Sequence, residues 1–172
     1  KGGNPEELKI MKKAVFFVVM LFFFYSKVDA CVGKMLNIGV INSSEGQVFA
    51  EMLSVLISER TGTTVKVNFY KNSQDIYEAV KEKKVDISIE NTSWAMHLLN
   101  KPVEADVKKT YEVVKTFYEK EKGLVWLKPF GFLNSNSGTP PSYTSTILRV
   151  EVINNFPALP RVIDKLGSSI ND

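Results

Sequence analysis

The chain has 172 residues, 44% of them hydrophobic and 24% charged, the composition of one ordinary globular domain. A net charge of +3 is too small to imply a nucleic-acid partner, and no basic run is interleaved with aromatics. One cysteine excludes an intrachain disulfide, and one histidine excludes a histidine-pair metal site.

Residues 1–10 fit no export signal and are read as lying upstream of the start at Met11. From there MKKAVFFVVMLFFFYSKVDAC shows two lysines, an apolar core from Ala14 to Tyr25, and small residues at Val28 and Ala30. That is a signal peptide over residues 11–30, with a core shorter than the about 20 residues a membrane span takes. Cys31 follows directly, either as a lipoprotein modification site or as the residue left at an ordinary cleavage site.

Leu36, Ile38 and Val40 alternate as a strand. Ser44 and Gln47 form an S-x-x-Q capping box opening a helix, with Glu45 favourable at its positive end. Phe49, Met52, Leu53, Leu56 and Ile57 share one helical face, Gly62 ends the helix, and Val65, Val67 and Phe69 alternate again. Strand–helix–strand is a parallel unit with a right-handed crossover. A short helix with Ile76, Ala79 and Val80 inward leads to the strand Val85–Ile89. Trp94 then stands in the polar turn at that strand's end, where its flat ring is either a core plug or a ligand platform. A helix from about Asp106 to Lys122 stops at Gly123, and LVWLKPFGFL is the next strand, with Trp126 in the core. Residues 31–133 form an α/β lobe on this reading, 134–145 a polar linker, and 146–172 helices returning to the lobe, the last stopped by Gly167.

The predicted fold is α/β, a three-layer sandwich with a mostly parallel sheet. Ligands of such sheets sit beyond the carboxyl ends of the strands, and Ser43, Tyr70, Trp94 and Phe130 lie near such ends. Catalytic constellations are scarce. His97 alone reads as a helix-surface residue, the serines lack a nucleophile elbow, and no glycine-rich phosphate loop appears. Asp75, Asp86 and Glu90 have nothing in their spacing to set them apart from caps and strand-edge residues. Trp94, with Tyr70 on the neighbouring strand and Glu90 just before it, could offer aromatic faces to a quaternary ammonium group, which ring quadrupoles stabilise. No enzyme, cofactor or metal is expected.

The pieces IGVINSSEGQVFAEML, ERTGTTVKV, KNSQDIYEAVKEKKVDISIENTSW, GLVWLKPFGF and FPALPRVIDKLG, in this order, resemble the substrate-binding component of glycine betaine/choline/carnitine ABC importers. The resemblance implies one lobe of a type II periplasmic-binding-protein-like fold, an extracytoplasmic location, a quaternary-amine ligand and a membrane permease as partner. It makes Trp94 the principal ligand-binding candidate; Tyr70, Ser43 and Glu45 are secondary candidates that match no specific ligand residue of the family. Two departures stand out. Ser43 and Ser44 replace a first-strand tryptophan, and NSNSGTPPSYTS stands where the family inserts its second lobe. Enclosure of a ligand would then need another subunit, as in a cleft-to-cleft homodimer. The alternative is a non-ligand-binding single-lobe interaction module.

Overall fold

The computed structural model describes residues 34–130, 132–133 and 142–170. The stretch read as an export signal, Cys31 and residues 134–141 of the expected linker lie outside the described residues.

Strand β1 (Met35–Ile41) leads into α1 (Ser44–Thr61), then β2 (Thr64–Tyr70), α2 (Ser73–Lys81), β3 (Ile87–Asn91) and α3 (Thr92–Leu98). The helix α4 (Val107–Phe117) continues into a π-helical turn (Tyr118–Lys122), followed by β4 (Leu124–Trp126) and β5 (Phe132–Leu133). Strand β6 (Ser142–Arg149), α5 (Val150–Asn155) and α6 (Leu159–Ile170) complete the described chain. Among these residues no helix is long and apolar enough to cross a membrane.

Local chemistry sets the ends of these elements. The α1 cap lies one residue earlier than its sequence pattern suggests, because Ser43 keeps an extended backbone and its Oγ accepts from Gly46 N at 3.1 Å. Gly62, at φ 67°, closes the helix in the left-handed conformation glycine tolerates. Asn72 and Asn91 cap α2 and α3 through their side-chain oxygens. Gly167 does not stop the last helix, which runs on to Ile170.

The sheet order is β2-β1-β3-β6-β4, with β5 paired to the side of β6. β1 is parallel to both β2 and β3, while β6 is antiparallel to β3, β4 and β5. The sheet is therefore mixed rather than mostly parallel. β1 to β4 all run one way, and β6 is inserted against them. The expected linker is corrected at its end and the expected helix at its start, since Ser142 to Arg149 form a central strand. Its buried hydroxyl residues disguise it: Ser145 Oγ donates to Leu127 O, while Thr144 Oγ1 and Thr146 Oγ1 find no partner among the described residues, and the Tyr143 backbone N donates to Thr92 Oγ1 at 3.1 Å.

Two apolar clusters flank the sheet. Leu36, Ile38, Val40, Ile87 and Ile89 meet Leu53 and Ile57 of α1 and Leu159 and Ile163 of α6 on one face. Ile76, Val80, Met96, Val114, Trp126 and Ile147 make the other, under α2, α3 and α4. Helices, sheet, helices: the sandwich has the three layers expected. Met52 departs from the inward face assigned to it and is 37% exposed, beside Val48 and Val55 on the outer side of α1.

Candidate functional site

A cavity of about 70 Å³ opens at the carboxyl ends of β1 and β3, lined among others by Ser43, Glu45, Phe49, Glu90, Asn91 and Thr144. Parallel strands place it there: β1 and β3 run side by side, and α1 begins just after β1. Gly46 lets the first turn of α1 come down tightly, since a Cβ there would lie 2.3 Å from Ile41 O. Phe49 presents the cavity's aromatic face and is backed by Phe130, their ring centres 4.9 Å apart.

Glu90 is the unusual group. It is 8% exposed, and its Oε1 accepts from both Ser73 Oγ and Asn91 N at 3.1 Å. Burial pushes its carboxyl up to about 8, against the lowering pull of those two hydrogen bonds. Asn91 turns away to cap α3, its Oδ1 accepting from Trp94 N at 2.8 Å. Thr144 reaches the cavity because β6 pairs it with Asn91.

Of the residues singled out in the sequence, Ser43 and Glu45 come together at this cavity, both exposed. Trp94 and Tyr70 do not line it. Trp94 lies in the first turn of α3 rather than in a loop, half-buried, with its ring stacked on that of His97 at 5.1 Å and 15°. Its buried Nε1 has no hydrogen-bond partner. Tyr70 ends β2 and packs against the cluster around Ile76 and Val85. Phe49 and Thr144 were missed as cavity residues, one read as a core position and the other as linker. The alternation of Tyr143, Ser145 and Ile147 with Thr144 and Thr146 was the available signal.

Residues 34–165 match a family described as the substrate binding domain of ABC-type glycine betaine transport systems. Among solved structures, one described as a glycine betaine/carnitine/choline ABC transporter superposes with a TM-score of 0.67 at 14% identity, over 77% of this chain and 86% of that one. Apo YehZ from Escherichia coli superposes with a TM-score of 0.62 at 10% identity, over 80% of this chain and 92% of that one. Identities this low speak for the fold. No curated protein matches in sequence.

Proposed function

This chain belongs to the substrate-binding domains of ABC-type glycine betaine transport systems, and on that premise we propose that it is the extracytoplasmic solute-binding component of an importer for glycine betaine or a related quaternary amine. Osmoprotectant uptake is the process it serves, with an ABC permease as its docking partner. The family match over residues 34–165 carries the reading. The cavity chemistry agrees with it: an aromatic face from Phe49 and the exposed acidic side chain of Glu45 suit a cation that donates no hydrogen bond. Export follows from the signal-like stretch at Met11, and Cys31 is the proposed anchor for a lipid. Trp94 remains the proposed principal ligand contact, with Tyr70, Ser43 and Glu45 as proposed secondary contacts. Its engagement requires the indole to take a cation in place of, or opposite, the His97 ring.

A second reading has its own observation. The cavity, about 70 Å³, is small beside the roughly 300–1,000 Å³ of ordinary ligand sites. A lobe that keeps only a permease-facing or self-associating surface would need nothing larger. Calorimetric titration of the chain from Cys31 to Asp172, with Cys31→Ser, against glycine betaine, choline and carnitine separates the two. Saturable binding lost on Trp94→Ala supports solute capture, whereas a flat titration of folded protein supports the interaction module.

A further inference from the structure

We propose that the end of the lobe opposite the cavity is a membrane-contact face. Held by a lipid on Cys31, the chain rests on anionic headgroups through Lys34, Met35, Lys83, Lys84, Lys122 and Val150, with its cavity facing away from the bilayer. The inference rests on the lipid-anchor part of the reading above and adds to it the face and the orientation that such an anchor imposes.

The register of the sheet gathers these residues. β1, β3 and β4 start at this end and β6 finishes there, so Asp86 N donates to Asn37 O at 2.8 Å and Val150 N to Gly123 O at 2.9 Å. A cleft of about 490 Å³ opens at this end, lined among others by Lys83, Lys122, Gly123, Val150 and Glu151. Met35 is 55% exposed and Val150 37%, with Lys34, Lys83, Lys84 and Lys122 also exposed at this end. The acids Glu82, Asp86 and Glu151 are each held by a basic side chain: Lys84 at 2.6 Å, Arg149, and Lys83 at 2.9 Å. Glu121, next to Lys122, lines a different groove with Lys101 and Glu112. Lys34 and Lys122 pair with no acid among the described residues.

The reach of the chain chooses the bilayer as the occupant. Val32, Gly33 and Lys34 alone separate Cys31 from Met35, and four fully extended residue steps span roughly 14 Å. β1 is seven residues long, so the cavity at its far end lies roughly 20 Å further on. A link that short cannot carry a lipid round to the cavity, and it brings the amino ends of the strands to the bilayer first. The surface it brings there suits headgroups. A lysine close to an anionic bilayer strengthens binding about fivefold, and exposed pairs such as Lys83–Glu151 are weak enough to open for a phosphate. Docking of the cavity on a permease then requires the lobe to tip off this face.

Cys31 is the only cysteine, so the chain from Cys31 to Asp172 can be coupled there to a maleimide-headgroup lipid in phosphatidylglycerol vesicles. Acetylation of its lysines, read by mass spectrometry, should slow severalfold at Lys34, Lys83, Lys84 and Lys122 relative to the free protein. Lys71 and Lys128, exposed towards the cavity end, should react as before. Uniform protection, or protection of Lys71 and Lys128 instead, would overturn the proposal. The unanchored Cys31→Ser protein should partition onto the same vesicles, and adding Lys34→Glu and Lys122→Glu should weaken that by about tenfold or more. Partition that ignores the charge reversal would overturn the contact face. The anchor reading is tested separately by the mass of the exported protein made in cells. An unmodified Cys31 removes the anchor and the orientation with it, whereas a lipidated chain with a uniform footprint overturns the orientation alone.

Discussion

Gly46 carries more of the site than its size suggests. Alanine would normally favour a helix over glycine by about 1 kcal/mol, yet here its Cβ would meet Ile41 O at 2.3 Å and Val40 Cγ2 at 2.9 Å. A backbone carbonyl cannot rotate away, so Gly46→Ala should lose about 1–3 kcal/mol in urea unfolding despite the propensity gain. A stabilised variant would show that α1 can lift off β1 without cost. Glu90 makes the other prediction at this scale. Its carboxyl is pushed by burial from 4.5 to about 8 in the folded protein, so the folded state binds more protons than the unfolded chain between those values. Its contribution to stability is fully present below about pH 4.5 and is lost as pH rises through about 8. Thermal melts across that range should show stability falling by about 3–5 kcal/mol from this group, a slope that Glu90→Gln removes. Sequence placed Glu90 on a strand with its side undecided. Whether it was a strand-edge residue or a buried acid depended on α2 and β6 closing over it, which no local pattern records.

At the scale of elements, β6 is the strand that local reading could not find. Central strands usually read as apolar runs, but here Ser142, Thr144, Ser145 and Thr146 are all buried. Leu127 O answers the hydroxyl of Ser145 and also the phenol of Tyr111, which donates to it at 2.8 Å, whereas Thr144 Oγ1 and Thr146 Oγ1 stay without a partner among the described residues, a cost the strand carries. Hydropathy sees a linker in such a stretch, whereas the alternation of β-formers over Tyr143 to Leu148 is the weaker but correct signal. The parallel unit from β1 to β2 was legible because its periodicities are strong and its caps are ordinary. The insertion of β6 between β3 and β4 was not, since pairing partners far apart in sequence are fixed by closure of the whole sheet. The end of β6 is pinned by Arg149, which ion-pairs with Asp86 at 2.5 Å, each side chain 12% exposed, while Nε donates to Val85 O at 3.1 Å. Arg149→Met should cost about 3 kcal/mol in urea denaturation, because Asp86 would stay behind in a largely dry place. Adding Asp86→Leu should recover part of that loss. A double variant no better than the single one would place the cost in packing rather than in the stranded charge.

For the molecule as a whole, the described residues supply one lobe with a cavity at the carboxyl ends of the central strands β1 and β3. A cation resting on Phe49 or Trp94 alone would be half in water. Such contacts are worth about 0.5–1 kcal/mol when solvated and about 2 or more when enclosed. A lone lobe therefore forfeits a few kcal/mol, which shifts a micromolar site towards millimolar. A second wall would restore it, and a copy of the same chain facing cavity to cavity is one way to build it. In that arrangement enclosure and association are one equilibrium, so choline should promote dimers and dimers should tighten choline binding by the same factor. Titrations at two protein concentrations tenfold apart should then give half-saturation at lower free choline in the more concentrated sample. Sedimentation equilibrium should show the mass rising with ligand. If half-saturation is independent of protein concentration and the mass stays that of one chain, the lobe does not complete its own site. The enclosing surface would then have to come from another protein, for which the permease of the same transport system is the candidate that family membership supplies.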